Sequence, residues 1–153
     1  MDKIRRIFPL LMLFVTLSCT KTVEIRIPYR QVNLELDLRY NDKSLNALYS
    51  HKIYNQNNIS TESSRGKTGF GGVIVFHGSN DIFYAFDAAC PYEALSNVIL
   101  DIDEGSIFAI CPKCGSKYEL IYGVGNSVEG PSTYSLQRYT VDKSGQEDRK
   151  SVV

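Results

Sequence analysis

The sequence predicts an all-β domain, an antiparallel sandwich or barrel. Three observations carry that expectation. Short apolar or alternating runs recur at regular spacing. Clusters of Gly, Asn, Asp and Ser separate them. No stretch after residue 30 keeps helical periodicity for three turns. About nine or ten short strands are expected from this pattern.

The first nineteen residues stand apart from that pattern. Lys3, Arg5 and Arg6 precede an apolar run from Ile7 to Leu17, broken only by Pro9 and Thr16. The run is too short for a bilayer core of about 30 Å, which takes about 20 helical residues. It fits the apolar region of a secretory signal. Leu17-Ser18-Cys19 resembles a bacterial lipobox, where the cysteine becomes the lipidated first residue of the mature chain, although Thr16 takes the usual leucine place. Residues 1–19 are thus expected to be a lipoprotein-type signal with Cys19 as the lipidation site. An ordinary signal with an incidental cysteine is the alternative. The lipoprotein reading implies an exported domain held at a membrane surface of the cell envelope by an acyl anchor, without crossing the membrane.

Residues 20–30 read as a tether into the domain, which is expected to span 31–142. Val23 to Ile27 alternates at period two and reads as a strand that Pro28 limits to an edge. Val32 to Leu38 alternates without a break and is the clearest strand. Asn41 to Ser44 is a turn cluster, and Leu45 to Tyr54 fits either a short helical turn or a strand. Asn55 to Lys67 is polar and reads as a surface loop. Gly69-Phe-Gly-Gly72 has no helix start after it, so it reads as a bend feeding the strand Val73 to Phe76 rather than a phosphate loop. His77 to Asp81 is a hairpin turn with His77 at the surface, and Ile82 to Phe86 returns as a strand. Val98 to Ile102 and Ile107 to Ile110 flank the turn Asp103 to Ser106 as a second hairpin. Tyr118 to Tyr122 and Tyr134 to Val141 complete the strands. Residues 143–153 read as a charged, frayed tail.

Charge excludes one broad class. The chain has 153 residues with 17 basic and 17 acidic side chains. Without residues 1–19, which hold Lys3, Arg5, Arg6 and Asp2, 14 basic and 16 acidic remain, a net charge of −2. No surplus of positive charge is left to neutralise phosphates, so nucleic-acid binding is not expected.

The cysteines carry the chemistry. With Cys19 given to lipid, Cys90, Cys111 and Cys114 remain, an odd number for an exported domain. Two loops hold them, Cys90-Pro91-Tyr92-Glu93 and Cys111-Pro112-Lys113-Cys114-Gly115, each directly after an apolar strand. In the second loop Pro112 fixes one backbone angle, and Gly115 admits a left-handed turn that aims amide N–H groups at the sulfurs. Such donors stabilise thiolate. The form reads as a metal knuckle. A redox Cys-x-x-Cys pair would open a helix in a βαβ setting, which is missing.

Residues 70–141 resemble the Rieske domain, the cluster-bearing unit of Rieske ferredoxins. Tyr84-Ala-Phe-Asp-Ala-Ala-Cys90-Pro91 matches the approach to the family's first loop. Ile110-Cys-Pro-Lys-Cys-Gly115 with Tyr118-Glu-Leu120 matches the second loop and its exit. Gly130-Pro131 followed by Leu136-Gln-Arg-Tyr139 matches the third loop and closing strand. The resemblance implies a Rieske-like antiparallel sandwich or barrel whose three loops cap a two-iron, two-sulfur cluster. It implies one-electron transfer to a partner protein rather than catalysis on a substrate. An oxygenase catalytic subunit is not expected, because there the unit is joined to a separate catalytic domain.

Both ligand histidines of the family are absent. Tyr92 stands where the first would be and Cys114 where the second would be, and His51 and His77 lie outside both loops. Three outcomes stay open. One is a two-iron, two-sulfur cluster on Cys90, Cys111 and Cys114 with Tyr92 or Glu93 as fourth donor. Its potential would fall toward the roughly −400 mV of all-thiolate ferredoxins. A second is a zinc or iron ion held by the three cysteines and Glu93 in ribbon-like spacing. The third is no metal, with a disulfide tying the two loops and the fold serving as a binding or structural module. Gly115, Ser116 and Pro131 are expected around the ligands, with the Ser116 hydroxyl donating to sulfur. Tyr118, Tyr122, Tyr134 and Tyr139 are expected to pack in strands, with hydroxyls available to the site. The acidic group Asp101, Asp103 and Glu104 lacks the donor pattern of a calcium loop and reads as a solvated turn.

Overall fold

A computed structural model describes residues 26–59, 67–143 and 148–153. Residues 1–19, Cys19, most of the tether and most of the Val23–Ile27 run lie outside the described residues. Ile27 itself is buried but belongs to no strand. No helix among the described residues is long and apolar enough to cross a membrane.

The fold is all-β and antiparallel, with ten strands in three sheets among the described residues. In chain order they are β1 (Leu34–Asp37), β2 (His51–Tyr54), β3 (Val73–His77), β4 (Phe83–Asp87), β5 (Phe108–Ile110), β6 (Lys117–Glu119), β7 (Ser127–Glu129), β8 (Arg138–Tyr139), β9 (Val141–Lys143) and β10 (Arg149–Val152). The sheets run β1-β10-β9, β2-β3-β4-β8 and β5-β6-β7.

The central sheet separates two cores, and the period of two along a strand explains how. Val73 and Val75 of β3 face one cluster with Leu34, Leu36, Leu45 and Val152. Ile74 and Phe76 face the other with Phe86, Leu100, Leu120, Cys90 and Cys111. Every residue of β3 is therefore buried, which is why Val73 to Phe76 reads as an unbroken apolar run rather than an alternating one. The cysteine sulfurs belong to the second core, between the central sheet and the small β5-β6-β7 sheet.

The structure departs from several expectations. Leu45 to Tyr54 contains both alternatives: a 3₁₀ turn at Lys43–Asn46, then β2. The second hairpin shrinks to a single bridge, Asp101 to Ile110, because β5 gives its other side to β6 and Ile102 and Ile107 pack into the second core. Tyr122 is 76% exposed and lies past the end of β6, so it packs in no strand. His77 is buried rather than superficial. Its ring stacks on Phe83 at 4.2 Å, and its Nδ1 lies 2.8 Å from the Leu45 carbonyl oxygen.

The largest change is at 143–153. Residues 149–152, expected in a frayed tail, form the middle strand of the first sheet, with Leu34 opposite Val152 and Lys150 opposite Lys143. Val152 is wholly buried, and Lys150 lays its ammonium over the Phe83 ring at 4.7 Å. A charged composition hid a strand whose alternate side chains, Lys150 and Val152, point inward.

Candidate metal centre

Strand β4 ends in Asp87, three residues before Cys90, and that carboxylate fixes the backbone leading into the first loop. It is fully buried and accepts four hydrogen bonds: from the amides of Phe70 (2.7 Å), Gly71 (3.0 Å) and Ala89 (2.9 Å), and from the Tyr139 hydroxyl (2.8 Å). The bend at 69–72, the start of the cysteine loop and β8 are thereby tied to one point. The sequence alone does not mark Asp87 as part of the site. Its only signal is an acid closing an otherwise apolar strand.

The first loop then turns back on itself, with the Ala94 amide donating to the Cys90 carbonyl at 2.9 Å and the Cys90 amide to Val98 at 3.0 Å. The second loop leaves β5 at Cys111 and rejoins the sheet at β6. The Gly115 amide donates to the Cys111 carbonyl at 3.0 Å, and Gly115 sits at φ +72°, a conformation that favours glycine. The Cys111 amide closes the turn on the Ser116 carbonyl at 2.9 Å.

The third loop is pressed onto the second. The Ser132 amide donates to Ser116 Oγ at 3.0 Å. Gly130 has φ +92°, and a Cβ there would come within 2.6 Å of Ser116 Cα, so no side chain fits. Pro131, expected beside the ligands, is exposed, and the contact is made by its neighbours Gly130 and Ser132.

Together the loops bring three sulfurs into one place. The Sγ atoms of Cys90, Cys111 and Cys114 all lie within 4.8 Å of one another, with Cys90 and Cys114 at 3.7 Å, and all three are free thiols. Cys90 and Cys111 are buried while Cys114 is partly exposed, so the triangle opens to solvent on the Cys114 side.

Two hydroxyls touch the sulfurs. Tyr118 Oη lies 3.4 Å from Cys90 Sγ, and Ser116 Oγ lies 3.2 Å from Cys114 Sγ. Ser116 Oγ accepts from the Cys114 thiol, and of Tyr118, Tyr122, Tyr134 and Tyr139 it is Tyr118 whose hydroxyl reaches a cysteine. The two fourth-donor candidates are placed otherwise. Glu93 is paired with Lys113 Nζ at 2.5 Å and is not among the ligand atoms that converge. Tyr92 is 38% exposed, and its hydroxyl makes no hydrogen bond to a cysteine among the described contacts.

The environment splits the thiols. Burial pushes Cys111 up to about 12, and the Cys114 and Lys113 amides aimed at its sulfur offset this only in part. Burial also opposes ionisation of Cys114, but hydrogen bonds from the Ser116 hydroxyl and amide and from the other two thiols outweigh it. The Cys114 thiol is held below the ordinary cysteine value. Three thiols with one already biased toward thiolate form a donor set for a soft or borderline metal such as iron or zinc.

No family model matches the chain. No curated protein matches it either. Among solved structures, a chain of one described as the complex of reduced oxygenase and oxidized ferredoxin in carbazole 1,9a-dioxygenase aligns with 70% of this chain and 91% of its own length. The TM-score is 0.43 and the identity 18%. A likeness at that level carries no information about the site.

Proposed function

We propose that this chain is an exported metalloprotein in which Cys90, Cys111 and Cys114 jointly hold a metal centre that passes single electrons to a partner protein. The observation that carries the reading is the convergence of three sulfurs from two loops, all within 4.8 Å. Two features support a redox role. The centre opens to the surface at Cys114, which electron exchange requires. Hydroxyls of Ser116 and Tyr118 lie against its sulfurs, and hydrogen bonds to sulfur set the potential of iron–sulfur sites. The Rieske-like order of three loops supports iron as the metal. In this reading the chain acts as a carrier and not as an enzyme. Lipidation at Cys19 would hold it at the membrane surface of the cell envelope, beside its redox partner.

A second reading has one specific observation behind it. The 3.7 Å between Cys90 and Cys114 suits a single structural zinc ion. Anaerobic purification of the full chain separates the two. Iron, with visible absorption bleached by dithionite, is the expected result. A colourless protein holding zinc overturns electron transfer and leaves the metal centre. Cys19→Ala is expected to release the protein from the membrane fraction, and unchanged retention overturns the anchor.

A further inference from the structure

We infer that the centre holds one metal ion and not a two-iron cluster. The inference rests on the proposed metal centre and concerns how many ions it takes. Each iron of a two-iron, two-sulfide unit gives two of its four positions to bridging sulfide. Only two protein sulfurs can then share an iron, and a third must belong to the other iron, beyond the bridge. A single tetrahedral ion with metal–sulfur bonds of about 2.3 Å instead sets every sulfur–sulfur edge at about 3.8 Å. Cys90 and Cys114 already stand at 3.7 Å, and no pair exceeds 4.8 Å. All three edges are therefore within about 1 Å of the single-ion value, a gap that side-chain rotation closes.

The remaining donors agree. A two-iron cluster needs four protein ligands. No carboxylate or imidazole joins the three sulfurs among the described residues, and Glu93 is engaged by Lys113. The two nearest hydroxyls lie against sulfur at 3.4 Å and 3.2 Å, where they hydrogen-bond to ligands rather than replace one. A single ion needs only one more ligand, and solvent reaches the centre on the partly exposed Cys114 side. The structure assigns the ion three thiolates and a fourth place open to water or a small anion.

Two measurements on the full chain test this. The first is metal and acid-labile sulfide after anaerobic purification, with one ion per chain and no sulfide expected. The second is titration of metal-stripped protein with cobalt(II). Saturation at one equivalent is expected, with thiolate-to-cobalt charge transfer and the visible bands of a tetrahedral ion. Cys114→Ser is expected to weaken the cobalt affinity at least tenfold. Two irons and two sulfides per chain overturn the inference and leave the proposed function standing. A chain that holds no metal and does not respond to cobalt overturns both.

Discussion

The Asp87 carboxylate accepts a hydrogen bond from the Tyr139 hydroxyl at 2.8 Å, joining the end of β4 to β8 at the root of the first cysteine loop. Removing this carboxylate strands four donors, the buried Ala89 amide and Tyr139 hydroxyl and the part-buried amides of Phe70 and Gly71. Each unsatisfied buried donor costs about 1–3 kcal/mol, although the backbone relaxes around some of them. Asp87→Ala is expected to destabilise the fold by about 3–5 kcal/mol and Tyr139→Phe by about 1.5–3 kcal/mol. Urea unfolding of both variants checks this, and an Asp87→Ala loss below that of Tyr139→Phe would contradict it.

Alkaline pH should act through the buried tyrosines. Burial raises the pKa values of Tyr54, Tyr118 and Tyr139, and Asp42, Cys90 and Asp87 respectively add to the effect. The unfolded chain releases these protons near pH 10, while the folded chain keeps them. Their contribution is complete below about pH 10 and is lost as pH rises toward the folded values. Unfolding midpoints followed from pH 8 to 11 should fall above 10. Tyr54→Phe should make the fall shallower.

Acid should act through His51. Burial lowers its pKa, and the Glu104 charge and the Ile102 carbonyl only partly counter this. A depressed imidazole contributes stability above the unfolded value of about 6.5, and that is lost as pH drops through the folded value. An NMR titration should place the His51 midpoint below the ordinary histidine range. A midpoint at or above it refutes the prediction.

Metal should be worth folding energy. A ligand at a thousand times its Kd stabilises the folded state by about 4 kcal/mol. Chelation should lower the melting temperature of the wild-type chain, and the effect should vanish in Cys111→Ser, which lacks a buried ligand. An equal shift in both would place the metal elsewhere.

Glu93 and Ser116 should separate by readout. Glu93→Gln is expected to keep the full metal content, since its carboxylate is held by Lys113. Ser116→Ala removes an oxygen that touches Cys114 Sγ and accepts from the Ser132 amide. It should retain metal but lower any reduction potential and destabilise the fold by about 1–3 kcal/mol. Voltammetry and elemental analysis on the same samples check both.

The β fold and the cysteine loops are legible because their signals are local. Val32 to Leu38 alternates, Val73 to Phe76 is continuously apolar, and the Cys-Pro-Lys-Cys-Gly loop has its geometry written into its own residues. What could not be read depends on contacts from far along the chain. Arg149 to Val152 looks like a tail because its pairing partner is β1. His77 looks superficial because Leu45, which meets its ring nitrogen, lies far back in the chain, while Phe83 covers the ring from across the β3-β4 hairpin. Glu93 has the right spacing for a ligand, and only the position of the Lys113 side chain removes it.

The pairing of Leu34 with Val152 has a kinetic corollary. Its two partners come from opposite ends of the described chain, so joining them costs closure entropy before any contact rewards it. The β3-β4 hairpin and the β5-β6 knuckle bear no such delay. Assembly should run from these short-range units outward, with β1 and β10 zipping up last. A chain trapped just before that step would already hold its cysteine loops in place while Leu34, Leu36 and Val152 stood bare to water, a sticky species that handling of this protein should avoid.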